Sequence, residues 1–463
     1  MTEEKQKKNR EADLGRDPVG PLLVRLALPT ICAQVVNLLY NIVDRIYIGQ
    51  IPGEGALALT GMGVTFPVIT LISAFAALIG MGGAPRASIF MGAHEHEKAE
   101  RTLGTCTAAL WGLALVLTVL FLLFQEPLLV LFGASADTLP YAMQYLNIYV
   151  LGTIFVMTAL GLNGFITAQG KSSVAMKTVL IGAVLNVVLD PVFIFVFGMG
   201  VRGAAVATVI SQAVSAAWVV RFLTGSKSTL RLRKAFFRWD SKLLLPAVAL
   251  GASPFVMQST ESLLTVTFNV SLQQYGGDLA VGAMTILISV AQMVQMPLMG
   301  LAQGAQPIMS FNYGAGRPGR MKQAVKYNLL IACVFSFGVW GLVQLAPHIV
   351  AQLFNRNAAL VDMTAWALRI YFAVGFTTAF QYTFQQCFVA LGEAKISLFL
   401  ALERKIILLI PLILVLPHFF EDKLFAVFFA EPVADFLAAA TTTILFLIRF
   451  RQIIRGMYKR GQA

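Results

Sequence analysis

Charged residues are scarce in this sequence. Asp, Glu, Lys and Arg make up 13% of its 463 residues, whereas 57% are hydrophobic. Soluble domains average about 25% charged residues, so this chain cannot cover a water-facing surface in the ordinary way. Its hydrophobic stretches repeatedly approach about 20 residues, the length of helix that spans a bilayer. They lack the short alternating pattern of membrane β-strands, and we therefore predict an all-α integral membrane protein.

Cysteine and several chemical motifs are also rare or missing. The four cysteines form no CxxC pair and lie singly in apolar stretches, which argues against a disulfide framework or a zinc site. The sequence contains no P-loop, GxSxG or HExxH motif. We therefore predict a protein that is not an enzyme and needs no cofactor. Its energy is expected to come from an ion gradient, with H⁺ or Na⁺ as the coupling ion.

The apolar stretches predict twelve membrane spans, separated by segments that carry glycine, proline or charge. The predicted spans are 21–47, 56–80, 102–124, 140–162, 174–197, 203–223, 243–272, 279–305, 324–346, 363–388, 396–416 and 424–449. The N-terminal stretch has no small-residue cleavage site, so we predict a tail and not a signal peptide. The predicted organisation is a tail at 1–20, a first lobe at 21–223, a linker at 224–242, a second lobe at 243–449 and a tail at 450–463.

The basic residues predict the orientation in the membrane. The net charge is +12, and Lys and Arg cluster in alternate links between the spans, most densely at 224–242. Cytoplasmic links carry such an excess, so we predict that both termini are cytoplasmic. This bias accounts for the basic composition, and we expect the lipid bilayer and no nucleic acid as partner. No partner motif is evident, and we expect a monomer.

An internal repeat divides the chain into two halves. The pattern G-x-x-P-x-x-S-x-x-x-G runs from Gly82 to Gly92 and recurs from Gly304 to Gly314, a shift of 222 residues. Each half then holds six helices, and an even number inserts both halves in the same direction. We predict two six-helix lobes related by a pseudo-two-fold axis along the membrane normal, an architecture typical of alternating-access transporters.

Polar residues at membrane depth predict a site in the first half. The first span carries polar side chains at spacings of three and four, which share one helix face; they are Gln34, Asn37, Tyr40, Asn41 and Asp44. Asn186 and Asp190 share a face of the fifth span, and Pro191 frees a backbone carbonyl there. With Thr208 of the sixth span, these groups are expected to meet at one depth. Two close carboxylates can carry a proton, and the same oxygens suit Na⁺, so both ions stay open.

The second half carries a lone carboxylate, Glu261, on its first span. We predict that it faces a substrate cavity with Gln258, or that it pairs with a basic residue, of which Arg404 is the deepest. The remaining charges of the last two spans are expected to neutralise each other; they are Glu403, Arg404, Lys405, Glu431 and Asp435. Gln292 and Gln381 are further candidates for the cavity wall.

Several stretches resemble the multidrug and toxic compound extrusion (MATE) transporters, especially the bacterial drug-exporting branch. The matching stretches include NLLYNIVDRIYIGQ, LNVVLDPVFIFVFGMGVRGAAVATVISQ, GLAQGAQPIMSFNYGAG and LFLALERKIILLIPLI. The resemblance implies two lobes that alternate in access, a bacterial cytoplasmic membrane and drug-like substrates. It also implies a cation or proton site at Asp44, Asn186, Asp190 and Thr208. Some members carry an acidic residue on the tenth helix, where this chain has Gln381, which favours coupling in the first lobe.

Three alternatives remain beside an exporter of hydrophobic cations. A lipid-linked precursor flippase of related architecture would need a strongly cationic cavity, whereas the predicted cavity charges are mainly acidic. A membrane enzyme would need a metal-binding constellation at one interface and would lack the doubled organisation. A passive channel would conduct without coupling, so neutralising Asp190 would leave its flux intact.

Overall fold

The computed structural model describes residues 12–460, and within that range the chain folds into helices joined by short connections, with no strand. Helices form because a bilayer offers no partner for backbone groups, which must bond within each segment. The six helices of the first half are α1 (Val19–Gly49), α2 (Gly55–Gly92), α3 (His96–Leu131), α4 (Leu139–Leu151 and Thr153–Ala168), α5 (Ser172–Pro191, then a π-helical turn, Val192–Val196) and α6 (Val201–Thr224).

The second half repeats this order. One helical segment, Ser241–Gly314, contains two spans, because Gly277 takes φ 63° and ψ −162° and divides it into α7 (241–276) and α8 (278–314). The others are α9 (Pro318–Leu345), α10 (Ala358–Tyr371, a 3-10 turn Gly375–Thr377, and Thr378–Ala390), α11 (Ala394–Leu402, a π-helical turn Glu403–Leu409, and Ile410–Val415) and α12 (Lys423–Arg460). Short helical turns lie at Lys234–Phe236, Pro347–Gln352 and Leu416–His418.

Corresponding helices of the two halves share their irregularities. The fourth helix of each half is broken: α4 bends by 58° at Gly152, and α10 bends by 51°. The fifth helix of each half, α5 or α11, contains a π-helical turn. The prediction of twelve spans in two repeated lobes is therefore confirmed.

Several helices are longer than the predicted apolar spans. The second helix runs on to Gly92, and α12 runs on to Arg460 through most of the segment predicted as a C-terminal tail. Hydropathy marks only the part of a helix that lies in hydrocarbon, whereas hydrogen bonding within the helix continues into the polar ends.

The predicted linker is packed against the first lobe. Leu230 is fully buried, and the side-chain oxygen of Gln169 accepts hydrogen bonds from Ser228 Oγ and from the backbone nitrogens of Thr229 and Leu230. Arg233 forms a 2.8 Å ion pair with Glu100 on α3. The segment is therefore part of the folded first lobe, although its composition had suggested a simple basic connection.

Two hydrophobic cores correspond to the two lobes, except that the first turns of α1 and α7 each pack into the core of the other lobe. The first core is built mainly from α2 to α6, and the second mainly from the chain after α7 begins. The first turns of α1, from Val19 to Ala27, belong to the second core, while Leu244 and Ala247 at the start of α7 belong to the first. The lobes therefore interlock where α1 and α7 begin.

Candidate functional site

Helices α1, α5 and α6 bring four polar side chains together inside the first lobe. Asp44, Asn186, Asp190 and Thr208 are each at most 3% exposed. The amide nitrogen of Asn186 donates to Asp190 Oδ1 and to Thr208 Oγ1, both at 3.2 Å. The structure thus gathers these four residues from three helices into one buried cluster, as the sequence pattern suggested.

The local sequence of α5 shapes this cluster. Asn186 and Asp190 are four residues apart and so lie on one face of the helix. Pro191 has no backbone N–H, and the helix widens into a π-helical turn directly after it. Single π-helical turns inside α-helices occur frequently at functional sites, and here the turn begins two residues after Asp190.

The buried carboxyl groups lack enough donors from the protein. Asp44 and Asp190 lie within hydrogen-bonding reach of each other. Among the described residues, Asp44 Oδ1, Asp190 Oδ2 and Asn186 Oδ1 have no hydrogen-bond partner. Two ionised carboxylates cannot bond directly, so a shared proton or a bound cation is needed to satisfy them. Oxygen donors of this kind fit either H⁺ or Na⁺.

Tyrosines surround the cluster, and two of them were not among the sequence candidates. Tyr145 and Tyr149 of the bent helix α4 are buried and stacked, with ring centroids 5.9 Å apart. Tyr40 of α1 and Tyr145 approach the hydroxyl of Thr208. The four-residue spacing of Tyr145 and Tyr149 on a predicted span was a usable signal, because buried Tyr hydroxyls usually require a partner.

The other polar residues of α1 divide between two environments. Gln34 donates a 3.0 Å hydrogen bond to Gln303 on α8 of the other lobe. Asn37 and Asn41 are exposed, and Asn41 bonds only the backbone of its own helix, at Asn37. Gln34 therefore joins the lobes, while the two asparagines remain open to solvent or substrate.

The second lobe contains two adjacent ion-pair groups. Lys405 Nζ lies 2.6 Å from Glu261 Oε2. Arg404 lies 2.7 Å from Asp435 and 3.4 Å from Glu431, and all three of these side chains are buried. The expected neutralisation is present for Arg404, Glu431 and Asp435, whereas Lys405 pairs with Glu261, and Glu403 Oε2 has no hydrogen-bond partner among the described residues. The alternative expectation, that Glu261 pairs with a basic residue, is confirmed, and the residue is Lys405 of the π-helical turn of α11 and not Arg404.

The remaining cavity candidates differ in exposure. Gln292 on α8 is exposed, and Gln258 on α7 is half-buried. Gln381 on α10 is 2% exposed, and its side-chain oxygen has no partner among the described residues. Gln381 therefore lies inside the second lobe and does not line an open surface.

The repeated glycine motif forms the seam between the lobes. A Cβ on Gly82 would overlap the backbone of Ala247 and Gly251 on α7, and a Cβ on Gly304 would overlap the backbone of Ala27 on α1. Gly82 and Gly304 are equivalent in the repeat, and each brings the second helix of one half against the first helix of the other. Only glycine permits such an approach.

The second glycine of each motif extends the same seam. Gly92 packs against the backbone of Phe311, and Gly314 packs against the backbone of Ile89. Thr30 adds a 2.6 Å hydrogen bond from its hydroxyl to the carbonyl of Gly300. These contacts all lie toward the end of the molecule at which α1 begins.

The opposite ends of the lobes are not joined in this way. Asn37, Asn41 and Glu261 are exposed there. Among the described residues on this side of the Gln34–Gln303 pair, no hydrogen bond or ion pair connects the two lobes. The structure thus has a closed seam at one end and a cleft at the other.

The segment before α1 reinforces the closed end. Leu14 is buried, and its side chain approaches Gly170, in the connection between α4 and α5 of the first lobe. On the second lobe, Arg320 donates to the carbonyls of Leu14 and Asp17 at 3.1 and 2.6 Å, and Arg317 donates to Gly15 at 2.6 Å. The described part of the predicted N-terminal tail therefore bridges both lobes.

Two repeated lobes with buried polar clusters and a cleft between them define a multi-pass membrane transporter. A family model supports this class directly, because it matches the chain twice, once in each half. The chain belongs to the MatE family, whose model matches residues 29–192 and 254–415. The family suggested by the sequence motifs is thereby confirmed.

Known proteins resemble the chain along almost its whole length. The multidrug export protein MepA of Staphylococcus haemolyticus (strain JCSC1435) is 24% identical over 418 residues, which cover 90% of this chain and 91% of MepA. The crystal structure of MATE in the bent conformation superposes with a TM-score of 0.90 at 24% identity, over 96% of this chain and 98% of that one. An outward-facing conformation of a multidrug resistance MATE family transporter gives a TM-score of 0.89 at 24% identity, over 96% and 99%.

Proposed function

We propose that this protein is a secondary active antiporter that exports hydrophobic, mainly cationic compounds in exchange for H⁺ or Na⁺. The observation that carries the proposal is the buried cluster of the first lobe. Asp44 and Asp190 approach each other with unpartnered oxygens, and Asn186 and Thr208 complete the polar set. A buried pair of this kind binds a cation or proton reversibly, because its oxygens lack protein donors.

The proposed location is a bacterial cytoplasmic membrane with both termini inside. The basic links and tails support this orientation. The closed seam then lies on the cytoplasmic side, so the conformation described here is outward-facing. A monomer contains both lobes and the cleft between them, which supports function without a partner chain.

Transport of the compound is coupled to the ion because the cluster of Asp44 and Asp190 has two states, one empty and one occupied by the ion. Occupation of Asp44 and Asp190 by a proton or Na⁺ removes their mutual repulsion and allows α1, α5 and α6 to pack more closely. Compound and ion therefore bind with negative coupling, and the coupling free energy must be the same in both directions. Export results when the ion enters from outside and displaces the compound into the open cleft.

The test is efflux of ethidium from proteoliposomes under an imposed H⁺ or Na⁺ gradient. We expect gradient-driven efflux in the wild type and its loss in Asp190→Asn. The control is Asp137→Asn, which neutralises an exposed carboxylate between α3 and α4. Unchanged coupled efflux in Asp190→Asn contradicts the proposal, and absence of cation transport under both gradients directs the search to lipid-linked substrates.

A further inference from the structure

The carboxylate of Glu261 lies on the cleft side of α7. Leu263, Val266 and Val270 form the exposed apolar side of this helix, which suits contact with lipid. Glu261 and Thr265 are exposed on the opposite side. The side chain of Glu261 is 57% exposed, and an exposed carboxylate in hydrocarbon is costly, so we place the polar side toward the space between the lobes.

A cation of the protein already occupies this carboxylate. Lys405 Nζ lies 2.6 Å from Glu261 Oε2 and 2.8 Å from the carbonyl oxygen of Met257. The side chain of Lys405 is 7% exposed, whereas that of Glu261 is 57% exposed. The ammonium therefore approaches Glu261 from inside the lobe, and a cationic compound would approach it from the cleft.

A second acceptor is available to Lys405 inside the lobe. The side chain of Glu431 is 7% exposed, and its Oε1 lies 3.4 Å from Arg404. Its Oε2 is buried and has no hydrogen-bond partner among the described residues. Lys405 and Glu431 are close enough to interact electrostatically. A buried carboxylate oxygen without a donor is costly, so it favours the arrival of an ammonium group.

Lys405 lies at an irregular part of its helix and is held less tightly than its neighbour Arg404. Lys405 lies in the π-helical turn Glu403–Leu409, which interrupts α11. Arg404 and Lys405 are adjacent in sequence yet both buried. Arg404 is held by two carboxylates, whereas Lys405 has one carboxylate partner and a flexible four-carbon stem.

We propose that Lys405 is a tethered cation that occupies Glu261 while the cleft is empty and moves to Glu431 when a cationic compound binds Glu261. This inference rests on the proposed function and deepens it. The substrate class is a lipophilic monocation, because one positive charge replaces one ammonium group at Glu261. The charge of the cleft wall is then balanced in both states, and neutral compounds receive no help from Glu261.

The test is equilibrium binding of tetraphenylphosphonium to the purified full-length protein in detergent, at constant ionic strength and without a gradient. Removal of the competing ammonium in Lys405→Gln is expected to lower Kd at least about tenfold, the factor that a close charge pair supplies. Glu431→Gln removes the second acceptor and is expected to raise Kd about tenfold. In the Lys405→Gln background, Glu431→Gln is expected to leave Kd unchanged, because no ammonium then needs the acceptor.

The matched control is Asp435→Asn, which neutralises another buried partner of Arg404 one turn further along α12. Equal effects of Glu431→Gln and Asp435→Asn in both backgrounds overturn the proposal, because Lys405 then makes no special use of Glu431. If Glu431→Gln fails to fold, an unchanged or higher Kd in Lys405→Gln alone overturns it. If the wild-type protein binds no tetraphenylphosphonium, the proposed cationic substrate is overturned as well. If the wild type binds it and either variant result described above is contrary, only the role of Lys405 is overturned.

Discussion

Gly304 of the second lobe lies against Ala27 of the first so closely that a Cβ on Gly304 would overlap the Ala27 backbone. The contact joins the motif glycine of α8 to the helix that carries Gln34 and Asp44. Any separation of the lobes at this end must break it. The seam and the ion cluster are therefore connected through one continuous helix, α1.

Substitution of this glycine is expected to open the seam. In Gly304→Ala, the added methyl group forces α1 and α8 apart at a cost of about 1–3 kcal/mol, as overpacking generally does. The conformational equilibrium of the variant should shift toward the conformation in which the lobes are separated at this end. The measurement is the distance between spin labels at Lys177 and Gln323, which are exposed near this end on opposite lobes, in a background without native cysteines. Gly338→Ala is the control, since open space surrounds Gly338; equal distances in both variants contradict the prediction.

The segment before α1 is expected to stabilise the same closed state. Arg320 donates to the carbonyls of Leu14 and Asp17 and to Asn312 Oδ1. Arg320→Gln removes these charge-assisted bonds, each of which contributes about 1.5–3 kcal/mol. Limited proteolysis should then cut the N-terminal segment faster than in the wild type. Arg356→Gln, at an exposed arginine between α9 and α10, should leave the cleavage rate unchanged, and an unaltered rate in Arg320→Gln argues against the bridge.

The ion pairs that Arg404 makes are expected to stabilise the fold. Arg404→Met leaves Glu431 and Asp435 without their cation, which should cost about 3–5 kcal/mol. We expect a large fall in thermal unfolding temperature in detergent. Neutralising both acids in Arg404→Met/Glu431→Gln/Asp435→Asn should recover most of the loss. If the triple variant is not rescued, the charge of Arg404 has a further role. If Arg404→Met alone is as stable as the wild type, Arg404 does not stabilise the fold.

The two carboxylates of the first lobe are expected to act as one unit. Asp44→Asn and Asp190→Asn should each abolish coupled efflux, and the double variant should be no worse than the more severe single variant, as for other residues that work together. Thr208→Val keeps both carboxylates and should retain part of the activity. Efflux is measured under the gradient that drives the wild type. Additive losses would mean that Asp44 and Asp190 bind separate ions.

Sequence reasoning predicted the helices because they depend on short-range patterns. It predicted the first-lobe cluster from spacing on one helix face together with comparable depth on three spans and the family resemblance. The spacing of Asn186 and Asp190 places them on one helix face whatever the tertiary structure is. Sequence reasoning offered a basic partner for Glu261 but could not identify Lys405, because the choice between Arg404 and Lys405 depends on the π-helical turn of α11. Depth along a helix could be estimated, but the direction of each side chain around a widened turn could not.

The sequence by itself determined the twelve spans, their repeat and the shared helix face of Asn186 and Asp190, since apolar length and residue spacing act locally and the bilayer imposes helices. Only the tertiary structure decided three further features. The motif glycines form the inter-lobe seam, residues 13–17 bridge the lobes, and Lys405 occupies Glu261. Each of these contacts joins residues far apart in the chain, and distances of about 3 Å between such groups depend on how whole lobes pack.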